Sequence, residues 1–151
     1  LIDNGFFTEL NKLPICSYVI NKNGFEKYYI TSRRPFLKEQ TIDWLENHGI
    51  DFEHEKLYFV GTGSEFENIE RFKRKAYLAK QLKLDCFIED EGEVAYEIAM
   101  LEIPVILFNY PWNQHISHKN IYRVGHWNDK CSYWRETENI LKKISLYHKK
   151  Q

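Results

Sequence analysis

Three short stretches of this sequence combine residue types that can handle an anion. Glu89-Asp90-Glu91 places three carboxylates in a row directly after the apolar run Cys86-Phe87-Ile88. Acids at a helix start complement its dipole, and Asp90 and Glu91 suffice for that role. Glu89 lies close enough to the apolar run to be costly if buried without a partner. A hard cation such as Mg2+ relieves such a cluster, because it is held by a few carboxylates together with phosphate oxygens. Thr31-Ser32-Arg33-Arg34 follows another apolar run and offers hydroxyls, backbone N–H groups and two guanidiniums. Hydroxyls and helix-start amides suit phosphate oxygens, and arginine grips them bidentately. The same stretch reads equally well as a helix cap followed by solvated arginines. Lys73, Arg74, Lys75 and Lys80 form a cationic helix surface, ordinarily a solvated face. Lys75 differs: it lies at the edge of an apolar stripe, three residues after Phe72 and four before Ala79, and can lean over a sheet edge.

Other candidates are weaker. Gly61-Thr62-Gly63-Ser64 lacks the Gly-Lys-Ser/Thr ending of a P-loop and the third glycine of a dinucleotide fingerprint, so it reads as a tight turn. His115 and His118 have no cysteine or third histidine nearby to complete a zinc set. No Gly-x-Ser-x-Gly elbow and no Cys/His nucleophile pattern is present.

The elements that must position these residues alternate. Apolar runs at 28–32, 57–60, 86–88 and 104–108 read as buried strands. Helical periodicity covers 36–48, 67–82 and 92–100, each ended by a break. A short strand near 121–124 and an amphipathic helix over 132–147 follow, and 109–118 reads as a loop. The segment from Pro14 reads as a helix with Tyr18 and Val19 on its apolar face, since proline favours a first helical turn; a strand entering a hairpin is the alternative. Strand–helix alternation with short connections implies an α/β fold with a parallel sheet and helices on both faces. Ligands in such folds bind beyond the carboxyl ends of the strands, which is where the three stretches fall.

Composition bounds the rest. The chain has 151 residues, 43% hydrophobic and 16% aromatic, with 21 Lys+Arg against 22 Asp+Glu. One domain with a real core is expected, and a disordered chain is excluded. A net charge of -1 argues against binding to duplex nucleic acid. No apolar run reaches the ~18–20 residues of a membrane span. Three scattered cysteines and no visible signal peptide suit a reducing, cytoplasmic setting.

Hydroxyl, then lysine, then acid pair, each at a strand end, resembles the haloacid dehalogenase (HAD) superfamily of phosphatases. Tyr28-Tyr29-Ile30-Thr31-Ser32-Arg33 is similar to its second motif, Lys75 to its third, and Cys86-Phe87-Ile88-Glu89-Asp90 to its fourth, with Glu89 in place of the usual first Asp. Lys75 precedes the acid pair by 14 residues, which fits. The string from Ile103 to Gln114, with Asn109-Tyr110-Pro111-Trp112-Asn113, resembles the following segment of the bacterial 5′-nucleotidase-like branch. The resemblance runs from about Phe6 to Arg123. It implies a Rossmann-like (HAD-like) parallel sheet and a Mg2+-dependent phosphomonoester hydrolase acting on a small phosphorylated substrate, most simply a nucleotide. Thr31, Ser32, Arg33 and Lys75 would bind the phosphoryl group, Thr31 and Lys75 as catalytic residues, and Glu89 and Asp90 would hold Mg2+. Arg33 and Trp112 are candidates to touch the leaving group.

The family's Asp-x-Asp nucleophile motif does not stand upstream of Thr31. Leu1-Ile2-Asp3-Asn4-Gly5 is a superficial echo, and Phe6 to Pro14 looks like the return from the family's cap. A single HAD-like domain over 1–151, lacking its first strand and most of the cap, is therefore expected. The missing strand would lie between those ending at Thr31 and Glu89, and its absence would leave sheet edges prone to self-association, as in a homo-oligomer. The isolated chain is expected to be inactive. The rival reading is a non-catalytic module that binds a phosphate ligand or a protein. Replacing Lys75 by methionine is expected to lower turnover and spare stability.

Overall fold

The computed structural model describes residues 12–14, 16–22 and 24–149, so the echo at Leu1–Gly5 and the region from Phe6 to Asn11 lie outside the described residues. Five strands follow in order: β1 (Tyr29–Thr31), β2 (Leu57–Phe59), β3 (Phe87–Glu89), β4 (Val105–Phe108) and β5 (Ile121–Val124). Among the described residues five α-helices accompany them: α1 (Cys16–Lys22), α2 (Lys38–Asn47), α3 (Arg74–Gln81), α4 (Gly92–Ala99) and α5 (Ser132–Lys149). β1 pairs with β2, and β3 with β4 and β4 with β5, all parallel. The fold is a mixed, Rossmann-like α/β arrangement with parallel strands in two sheets.

Strand alternation sends neighbouring side chains to opposite faces, and two large core clusters record this. Ile106 and Phe108 pack with Val19 of α1, Leu45 of α2 and Tyr133 and Trp134 of α5. Val105 and Leu107 point the other way, onto Ala76 and Ala79 of α3 and Val94, Ala95, Ile98 and Ala99 of α4. Helices thus cover both faces. β1 belongs to the same layer as β3: Tyr29 and Ile88 join the first cluster, Ile30 and Phe87 the second. Yet among the described residues β1 and β3 share no ladder. Among the described residues the two sheets meet at a seam held by side chains and not by backbone hydrogen bonds.

The structure shortens one expected helix. Periodicity predicts a helix over 67–82, but the α-helix begins at Arg74, preceded by a 3₁₀ turn, Arg71–Lys73. Glu70 caps that turn by accepting from the Phe72 N–H at 3.2 Å. The Arg74 guanidinium takes the carbonyls of Val60, Glu67 and Ile69 at 3.3, 3.0 and 2.9 Å. Carbonyls that an earlier helix would use are bonded instead to a side chain, and Phe66 and Ile69 turn into a small third core with Val60 and Leu78. The segment after Pro14 is helical, as its proline implies.

Gly125 ends β5 at a φ of 84°, and a Cβ there would stand 2.4 Å from the ring of Tyr133, which is buried. Left-handed backbone and a ring that cannot retreat both exclude a side chain. Gly125→Ala should therefore destabilise by about 2–3 kcal/mol. Gly24→Ala, with nothing within 4 Å, should change stability by less than about 0.5 kcal/mol. Urea unfolding of the two variants checks the contrast.

Candidate active site

A cleft of about 440 Å³ opens across the seam, at the carboxyl ends of β1 and β3. Thr31, Ser32, Arg33, Lys75, Glu89 and Asp90 all line it, together with Arg34, Leu37 and Glu91. Six residues from three separate stretches of sequence thus converge on one cavity. Trp112 is not among its lining residues; it is exposed and stacks on Tyr110 with ring centroids 4.3 Å apart.

The floor of the cleft is an ion pair. Lys75 Nζ donates to Glu89 Oε2 at 2.8 Å, with side chains only 13% and 4% exposed. The other oxygen, Oε1, accepts the backbone N–H groups of Asp90 at 3.1 Å and Glu91 at 3.2 Å. The sequence assigned helix-start duty to Asp90 and Glu91, but Glu89 folds back to serve those N–H groups itself. Burial works against its charge, yet the Lys75 ammonium and these donors prevail and hold its pKa below the ordinary carboxylate range. Lys75 reaches the site because its helix packs on α4 through Ala76 and Ala79. The buried pair argues against the expectation that Lys75→Met changes stability little. Loss of Lys75 leaves Glu89 buried and uncompensated, a change that costs about 3–5 kcal/mol.

Asp90 stands at the lip, exposed to solvent. Desolvation of its carboxyl against the protein, reinforced by the adjacent Glu89, pushes its pKa up to about 6. No Lys or Arg forms an ion pair with it among the described residues. Two carboxylates meet here, one locked and one open to solvent. Among the described residues no group of three or more ligands is assembled for a metal. Two acids facing a phosphate-sized cleft nevertheless match what Mg2+ takes: one or two carboxylates, with water and phosphate oxygens completing the shell. The donor set fits the ion.

On the opposite wall, Thr31 Oγ1 accepts the Arg33 N–H at 3.2 Å, so its own hydrogen remains to donate into the cleft. Arg33 Nη1 donates to Thr41 Oγ1 at 2.9 Å, and Thr41 donates to the Leu37 carbonyl at 2.8 Å. That ties the β1 loop to α2. Arg34, the second guanidinium of that stretch, also lines the cleft.

A second set of residues that the sequence did not reveal braces the acid wall. Asn113 is fully buried and donates to the carbonyls of Asp90 and Phe108 at 2.9 and 2.8 Å. Arg123 on β5 donates to Asn113 Oδ1 at 2.8 Å, to its carbonyl, and to the Ile116 carbonyl at 2.6 Å. The histidines are engaged apart: His115 with Glu93 at 2.9 Å, and His118 accepting from the Asn120 N–H at 3.0 Å.

Three proteins are similar in sequence. "Putative nucleotidase YqfW" of Bacillus subtilis is 32% identical over 125 residues, 82% of this chain and 58% of that protein. "Putative nucleotidase BH1399" of Halalkalibacterium halodurans is 33% identical over 109 residues, 72% of this chain and 50% of its own length. A Bacillus cereus protein of the same designation is 29% identical over 146 residues, 95% and 67%. The chain thus spans about half to two thirds of the length of these curated relatives. No family model matches it. No described helix is long and apolar enough to cross a membrane.

The raised Asp90 pKa carries a sign. A carboxyl that holds its proton more tightly when folded contributes stability fully below its ordinary value of 3.8, and loses that contribution as pH rises through about 6. Asp90→Asn should therefore stabilise the divalent-free protein at pH 8, by up to about 1 kcal/mol once solvent screening is allowed for. The gain should vanish toward pH 4. Denaturant unfolding at the two pH values checks it.

Proposed function

We propose that this chain is the greater part of a HAD-type, Mg2+-dependent phosphomonoester hydrolase acting on nucleotides. The observation that carries the reading is the convergence of a strand-end hydroxyl, a lysine and an acid pair on one cleft. The names of its relatives supply the nucleotide. Thr31 would donate its hydroxyl to a phosphoryl oxygen, and Ser32 and Arg33 would hold the others. Lys75 would neutralise charge that develops on those oxygens, a role in which fixed donors contribute most to phosphoryl transfer. Glu89 and Asp90 would hold Mg2+, which when bound supplies positive charge against the phosphate.

On this reading neither described acid of the cleft is the nucleophile: Glu89 pairs with Lys75, and both it and Asp90 would serve the cation. Instead an aspartate from sequence outside the described residues attacks phosphorus, the bond to the nucleoside oxygen breaks as a second acid of that motif protonates it, and water then cleaves the aspartyl phosphate to release phosphate. That residue would ride on a further parallel strand in the seam between β1 and β3, where each strand has one edge without a described partner. The complete domain is then one HAD-like unit.

The test uses the protein with its full native sequence. It should release phosphate from a nucleoside 5′-monophosphate in Mg2+ and lose that activity in EDTA. Asp90→Asn and Thr31→Val should each lower turnover by about 10²–10³-fold. Binding of the nucleotide without any hydrolysis would instead favour a non-catalytic phosphate-binding module.

A further inference from the structure

A second, smaller cleft of about 120 Å³ lies at the carboxyl end of β2. Ser32 and Arg34 line both clefts, so the two adjoin. The walls of the smaller one carry Thr62 and three guanidiniums, from Arg34, Arg71 and Arg74, and no carboxylate. Cations gathered this closely repel unless an anion lies among them.

The three arginines differ in what they have left to offer. Arg74 spends its hydrogen bonds on the carbonyls of Val60, Glu67 and Ile69 but keeps its charge. Arg71 pairs with Glu91 at 2.8 Å through a side chain that is 58% exposed, and such surface pairs hold weakly. The Arg34 side chain is exposed and makes no hydrogen bond or ion pair with any described residue; its carbonyl accepts the Leu37 N–H at 3.0 Å. Backbone packing fixes its place. A Cβ at Gly61 would stand 2.4 Å from the Ser32 carbonyl oxygen and 2.6 Å from that of Arg33. Only glycine lets the end of β2 press against the loop that presents Arg34. The Gly61 N–H bonds the Arg33 carbonyl at 3.2 Å and completes that contact.

We propose that this second cleft is an anion subsite, and that the preferred substrate is a phosphomonoester bearing a second phosphate. Arg34, Arg71 and the Thr62 hydroxyl hold the second phosphate while the scissile one lies between Thr31 and Lys75. The small volume and the charge suit a compact anion better than a base or a sugar. The substrate assignment rests on the phosphohydrolase reading above; the anion subsite does not.

Two measurements on the full-sequence protein separate them. The first is a ¹H–¹⁵N NMR titration with inorganic phosphate alone. Phosphate should shift the amides of Gly61 and Thr62 as well as that of Asp90, and the double variant Thr62→Val, Arg71→Gln should lose the first set and keep the second. The second compares a nucleoside 3′,5′-bisphosphate with the 5′-monophosphate. The bisphosphate KM should be at least tenfold lower, and the double variant should reduce the ratio to within twofold while leaving monophosphate kinetics unchanged. Unmoved Gly61 and Thr62 amides in the wild type overturn the subsite. A bisphosphate preference that survives the double variant overturns the substrate assignment. If neither ester is hydrolysed while the Thr62 shift appears and is lost in the variant, the hydrolase reading falls and the subsite stands.

Discussion

The buried pair between Lys75 and Glu89 is the interaction on which the rest of the arrangement depends. Each charge is costly inside the protein without the other, so α3, which carries Lys75, and β3, which carries Glu89, must meet in one register. Glu89 also takes the first N–H groups of the segment entering α4. One carboxylate therefore fixes the helix that precedes its strand, the strand itself and the turn that follows. Burial, reinforced by the adjacent Glu89, leaves Asp90 more readily protonated than an ordinary aspartate. On the phosphohydrolase reading, an ammonium beside two carboxylates would receive a ligand that brings both negative oxygens and a cation.

That pair lies at the seam of the sheet, where the structure relies on side chains alone. β1 and β3 share two cores but no backbone ladder among the described residues. The acid wall is held from its far side by Asn113 and Arg123, whose hydrogen bonds reach the Asp90 carbonyl through a buried amide. The hydroxyl wall is held by Arg33 and Thr41, which link the β1 loop to α2. Each wall is thus braced from its own side of the seam.

Much of this was legible in the sequence, for a physical reason. Buried parallel strands read as short apolar runs, and the residues just beyond them gather at one sheet edge, so Thr31, Ser32, Glu89 and Asp90 could be placed together before any coordinates. Lys75 was legible because its position at the rim of an apolar stripe fixes its direction. What escaped depended on side chains competing for backbone groups. Periodicity continued the helix back to Glu67, because it does not register that Arg74 takes the carbonyls that helix would need. Helix-start chemistry pointed to Asp90 and Glu91, because a strand residue turning back on its own chain leaves no mark in spacing. Arg123 acts on Asn113 from another strand, and Arg34 is set apart only by the approach of Gly61; both relations are long-range. The polar string Asn109 to Asn113 was the one available signal for the brace, and it pointed to a segment without assigning its bonds.

The central claim is that Lys75 and Glu89 form both a structural pair and part of a phosphate site. A double-mutant cycle on the full-sequence protein separates the two roles: unfolding free energy and inorganic phosphate affinity measured for Lys75→Met, Glu89→Gln and the two combined. The double variant should recover most of the stability lost by Lys75→Met, because no buried charge is then left without its partner. Phosphate binding, already weakened at least tenfold by Lys75→Met, should stay lost in the double variant. Phosphate affinity at the wild-type level in a stable double variant would contradict the central claim, and would make the pair a purely structural feature beside a site that works without it.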